Sequence, residues 1–154
     1  MGSISDVLAA LRQAPTNVDR GTLFEQLMVR YFQLDPALAQ QYDGVCRWID
    51  WEGRAGKPDT GIDLVARERD TGSLTAIQCK FYEPGHLLAK SDIDSFFTAS
   101  GKKPFTNRVI LSTTDKGGTP AEAALGNQQI PVRRNGMAAI AERQERFAFL
   151  QELL

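Results

Sequence analysis

Apolar positions recur along this chain with two different periods, and the two alternate. Ile4, Val7, Leu8 and Leu11 share one helical face, and Pro15 closes that stretch. Leu23, Phe24, Leu27, Met28 and Tyr31 repeat the spacing and predict a longer amphipathic helix over 19–34, after which Pro36 opens a short third one. VCRWIDW (45–51) predicts a strand, followed by the glycine-rich, charged loop EGRAGKPDTG (52–61). Residues 62–68, with Ile62, Leu64 and Ala66 on one face, and 74–82 predict two more strands, joined by Asp70-Thr71-Gly72 as an antiparallel hairpin. SDIDSFFTAS (91–100) predicts a helix capped by Ser91. A strand at 107–112, a short helix near 119–126, a last strand at 130–134 and a helix over 137–154 complete the pattern.

Alternating helices and strands in 154 residues, without repeats or linkers, predict one α/β domain, 1–154, with a central mixed sheet flanked by helices. The final helix reaches the last residue without a C-cap signal, as expected of a domain excised from a longer protein. No apolar run approaches the roughly 18 residues of a membrane span. The N-terminus lacks the basic and apolar segments of a secretory signal, so a cytoplasmic location is expected. Cys46 and Cys79 then read as free thiols, and the single histidine, His86, leaves no zinc cluster or histidine triad. The net charge of −1 gives no global nucleic-acid signature, although 75–134 is more basic than the acidic first half.

One stretch breaks its own pattern. LTAIQCKFY (74–82) is apolar until Gln78 and Lys80, which alternation places on the same face with Cys79 on the other. Burying an amide and an ammonium is costly unless something pairs with them. Counting outward from the hairpin turn puts Asp63, at the start of the preceding strand, opposite 78–80. A carboxylate and an amide oxygen are hard ligands suited to Mg²⁺ or Mn²⁺. A lysine beside them can hold a water or offset charge developing on a phosphate.

Asp63 with QCK (78–80) resembles the Mrr-like branch of the PD-(D/E)xK restriction endonucleases, in which Gln commonly replaces the last acidic residue. TLFEQLMVRYF (22–32) is similar to that family's first helix, whose glutamate, here Glu25, faces the site. DTGIDLVA (59–66) resembles its turn into the strand, with Asp59 in a supporting position, and VILSTT (109–114) its next strand. The resemblance covers roughly 20–135. KSDIDSFFTASGKKPF (90–105) and IPVRR (130–134) look like the N-terminal nuclease domain of single-chain, type ISP-like restriction-modification enzymes.

That resemblance implies a restriction-endonuclease-like core and Mg²⁺-dependent hydrolysis of double-stranded DNA, Mn²⁺ substituting, with 5′-phosphate products. Asp63, Gln78, Lys80 and Glu25 would form the catalytic set. Asp63, the Gln78 oxygen, the Cys79 carbonyl and Glu25 would hold the metal. It also implies helicase or translocase and methyltransferase or recognition partners, fused or associated, in a bacterial defence system. Lys90, Lys102, Lys103, Lys116 and Arg133 are candidate phosphate contacts. Two other readings stay open: a non-catalytic DNA- or partner-binding module on the same fold, and a repair or junction nuclease. A thiol enzyme is disfavoured because alternation turns Cys79 into the packed side of its strand. Trp48 and Trp51 read as core residues rather than base-stacking platforms.

Overall fold

The computed structural model describes residues 9–55, 61–81, 89–102, 104–113 and 132–135. Helix α1 (Asn17–Leu34) starts where the Thr16 side chain accepts the Asp19 N–H at 3.0 Å. It stops at Asp35, which also begins the next helix: its carboxylate accepts the Leu38 N–H at 3.2 Å, with Pro36 in the first turn of α2 (Pro36–Gln41). Among the described residues five strands follow, β1 (Tyr42–Arg47), β2 (Leu64–Glu68), β3 (Leu74–Lys80), β4 (Phe105–Ser112) and β5 (Val132–Asn135), and they lie in the sheet in that order. β1, β2 and β3 pair antiparallel; β3, β4 and β5 pair parallel. The parallel β3–β4 pair requires a crossover, and α3 (Lys90–Ser100) lies in it.

The period-2 pattern sorts the core onto two faces. Leu64, Ala66, Ile77, Val109 and Leu111 pack with Phe24, Leu27 and Met28 of α1. Val65, Ala76 and Ile110 pack with Ile93 and Phe96 of α3 on the opposite face. Both faces of the sheet are therefore covered. Each fully buried apolar side chain contributes roughly 1.5–3 kcal/mol. Among the described residues no helix is long and apolar enough to cross a membrane.

Three sequence expectations are corrected. The strand expected at 45–51 runs instead from Tyr42 to Arg47, and Trp48–Asp50 forms a 3-10 turn. A strand would send Trp48 and Trp51 to opposite faces, whereas the 3-10 spacing brings them together with ring centroids 5.3 Å apart. Trp51 also meets Phe105 at 5.8 Å, so the apolar drive into the α3-side core overrides the strand pattern, and both tryptophans are core residues. Ile62 joins that same cluster rather than the face of Leu64, because 61–63 lie ahead of β2. Ser91 lies within α3 rather than capping it, since the helix begins at Lys90. The helices expected near 119–126 and over 137–154 lie outside the described residues.

Candidate active site

The β2–β3 hairpin sets the register of the site. Glu68 N–H donates to the Ser73 carbonyl at 2.8 Å and Gly72 N–H to the Glu68 carbonyl at 2.9 Å, with Gly72 at φ +72°. Leu64 then pairs with Ile77, and Asp63 N–H donates to the Ile77 carbonyl at 3.0 Å. Asp63 therefore lies beside Gln78, as the hairpin count predicts. Its carboxylate Oδ2 accepts the Cys79 N–H at 2.7 Å, and its carbonyl accepts the Trp48 N–H at 2.8 Å. Main chain and side chain together fix this carboxylate. A residue's N–H and C=O point to the same side of a strand, so the Cys79 carbonyl is directed past the start of β2.

Gln78 is 3% exposed. Its Nε2 donates to the Gly61 carbonyl at 3.3 Å; because a carbonyl can only accept, this contact fixes which way the amide faces. The buried Oε1 has no hydrogen-bond partner among the described residues. Gly61 is held at φ +97°, and a Cβ there would sit 2.9 Å from the Ser95 carbonyl carbon. The loop that carries Asp63 thus runs against the backbone of α3, where only glycine fits.

Lys80 ends β3 half-buried, with its carbonyl accepting the Thr113 N–H at 3.0 Å. Glu25 of α1 and Asp63 both line a cleft of about 300 Å³, with Gly21, Thr22, Arg47, Trp48, Ile49 and Ile62. Gln78 and Lys80 do not line that cleft. The Cys79 thiol relates all these charges: burial pushes its pKa well up, Asp63 and Glu25 push it further, and Lys80 opposes them. Both carboxylates and the ammonium thus act on one sulfur, which is packed against the α1-side core and stays protonated.

Among the described residues no group of three or more His, Cys, Asp or Glu is placed to hold a metal. The oxygens near this end of the sheet are of another kind: the Asp63 and Glu25 carboxylates line one cleft, while the Gln78 amide oxygen, without a partner among the described residues, and the Cys79 carbonyl belong to the end of β3. All are oxygens, and they fit a hard divalent cation better than a soft one.

The candidate phosphate contacts separate. Lys90 opens α3 and pairs with Asp94 at 3.0 Å, one turn on. Lys102 is in the turn entering β4, where Phe105 N–H donates to its carbonyl at 3.1 Å. Phe105 pairs with Leu74, so Lys102 lies at the end of the sheet away from Lys80, roughly 20 Å along a seven-residue strand. Arg133 is exposed on the edge strand β5, level with Val109. Lys103, Lys116, Asp59 and His86 lie outside the described residues.

Sequence reasoning missed Arg47. Its Nε donates to Glu25 Oε1 at 3.2 Å, and it lines the cleft beside Asp63. The available signal was its place at the end of a strand next to the glycine-rich loop, but the longer strand predicted there hid it.

A family model described as a restriction endonuclease matches residues 33–152, a range that contains β1 to β5 and begins after Glu25. The chain is similar to the ATP-dependent Type ISP restriction-modification enzyme LlaBIII, solved bound to DNA. That likeness has a TM-score of 0.73 and 26% identity, over 92% of this chain and 8% of that one. It is also similar in fold to the MspJI restriction endonuclease, solved in complex with a 27-mer oligonucleotide. There the TM-score is 0.65 with 16% identity, over 98% of this chain and 34% of that one. The chain thus spans a small part of the length of either. No curated protein matches it in sequence. With its mixed β-sheet and a family match over most of its length, the chain belongs to the restriction endonuclease family, as an Mrr-like nuclease domain.

Proposed function

We propose that the chain is a metal-dependent endodeoxyribonuclease domain that hydrolyses phosphodiester bonds of double-stranded DNA within a restriction system. The observation that carries this reading to particular residues is the Asp63–Cys79 contact at 2.7 Å, which fixes a carboxylate beside the Gln78-Cys79-Lys80 strand end. Asp63, Glu25, Gln78 Oε1 and the Cys79 carbonyl would hold Mg²⁺, with Mn²⁺ as a substitute. Bound there, the ion would polarise the scissile phosphate and offset the charge that develops on it. Lys80 would donate to the oxygen of the attacking water and add its positive charge near the phosphate. Because Gln78 is neutral, the donor set is one charge poorer than with a glutamate, and Glu25 counts for more.

LlaBIII is a far longer, ATP-dependent restriction-modification enzyme, and this chain resembles a small part of it. By extension, the domain would act beside a translocase and a methyltransferase or recognition module, which would supply sequence or methylation specificity. The metal reading is tested by titrating Mn²⁺ into the wild type and Asp63→Asn and following the heat of binding. Binding weakened at least tenfold in the variant is expected; equal binding would overturn the role given to Asp63.

A further inference from the structure

Arg47 has no part in the catalytic set above, yet its surroundings tie it to that set twice. It ends β1 opposite Leu64, and the N–H of the next residue, Trp48, donates to the Asp63 carbonyl, so Arg47 and Asp63 share one stretch of ladder. Arg47 lines the cleft that Glu25 and Asp63 line, and its Nε meets Glu25 there. The contact with Glu25 uses Nε alone, at 3.2 Å, with both side chains 21% exposed. A guanidinium offers five N–H donors in a planar fork, and its strongest carboxylate pairs are bidentate and shorter, near 2.7–2.9 Å. Among the described residues, the donors on the two terminal nitrogens are engaged by no carboxylate. A partly dry cleft lined by two carboxylates and a forked cation with donors to spare is arranged for an anion with two oxygens.

We infer that Arg47 is a phosphate-contacting residue of the cleft, restrained by Glu25 until DNA enters. This inference rests on the nuclease reading and names a residue that positions its substrate. Glu25 would hold the guanidinium through one bond. A DNA phosphate, offering two oxygens, would compete for the same fork with better geometry. Weakening the negative charge of Glu25 would release Arg47 to that phosphate. A plain strap between α1 and β1 is the structural alternative, and it would affect stability without affecting DNA.

The test is binding of the chain to a fluorescent DNA duplex in EDTA, by anisotropy over a range of salt concentrations. Each phosphate contact adds about one to the slope of log K against log salt. Arg47→Ala should lower the slope by about one and weaken binding on the order of tenfold, as expected for loss of a charge-assisted hydrogen bond. Arg47→Lys should keep the slope at reduced affinity. Glu25→Gln should tighten binding, and the gain should vanish in Glu25→Gln/Arg47→Ala. Should Arg47→Ala fail to fold, Arg47→Gln, which keeps a donor for Glu25 without the charge, carries the same expectation. An unchanged slope with a lowered melting temperature would overturn the inference in favour of the strap, as would a Glu25→Gln gain that survives without Arg47. A wild type that binds the duplex but never cleaves it with Mg²⁺ or Mn²⁺ would sink the nuclease reading alone. A wild type that binds no duplex overturns both.

Discussion

The Asp63 carboxylate accepts the Cys79 backbone N–H at 2.7 Å, so a side chain continues the β2–β3 ladder one step beyond the start of β2. The same oxygen pair is thereby aimed at the end of β3, where the Cys79 carbonyl, Gln78 and Lys80 lie. Structure and chemistry meet in this one contact, and the two can be separated by mutation.

Asp63→Ala removes the acceptor and leaves a part-buried peptide N–H without a partner, which costs up to roughly 1–3 kcal/mol. Asp63→Asn keeps an acceptor oxygen and removes only the charge. Urea unfolding should therefore rank the wild type and Asp63→Asn close together, with Asp63→Ala clearly less stable. Equal stability of the two variants would mean that the contact does not hold the hairpin end.

Gln78→Glu replaces a buried neutral amide by a group that is costly to bury ionised. Without metal the variant should melt below the wild type. Added Mg²⁺ or Mn²⁺ should raise its melting temperature by more than it raises that of the wild type, because a carboxylate is the stronger ligand for a hard cation. A thermal shift that is the same in both proteins would remove Gln78 from the donor set.

Gly61→Ala puts a methyl group 2.9 Å from the Ser95 backbone at a φ of +97°. Strain of about 1–3 kcal/mol follows, and the loop must back away from α3, taking with it the carbonyl that orients Gln78. Stability and metal-dependent cleavage should fall together. Gly72→Ala, also at positive φ but with open space around it, should lower stability and spare cleavage.

The Cys79 thiol is pushed well above its ordinary pKa, first by burial, then by Asp63 and Glu25. The unfolded chain releases this proton near pH 8.5, whereas the folded chain keeps it to higher pH. Between those two values the folded state binds more protons, so stability falls as pH rises, and below that window this group adds no pH dependence. Unfolding free energies measured from pH 7 to 10 should decline less steeply for Cys79→Ala than for the wild type. Cys46, less enclosed and raised mainly by burial, should react with iodoacetamide before Cys79 does.

The hairpin was legible because two independent signals agreed, the Asp70–Gly72 turn and the alternation of Gln78 with Lys80, and together they put Asp63 at its observed place. β1 was not, because WIDW reads as strand by composition while packing against Phe105 favours a 3-10 turn. That local error concealed Arg47. The placement of Lys102 at the far end of the sheet could not be read from charge, since it depends on the parallel β3–β4 register, a non-local pairing. Glu25 was found only through the likeness of its helix; nothing in its spacing points to Asp63.

The most direct measurement is conversion of supercoiled plasmid in Mg²⁺ or Mn²⁺ by the wild type, Asp63→Asn and Lys80→Ala, with duplex binding followed in parallel. Nicked or linear DNA is expected from the wild type alone, with binding retained in both variants. Cleavage that persists in Asp63→Asn, or a wild type that binds DNA yet leaves the plasmid intact with either metal, would contradict the proposed function.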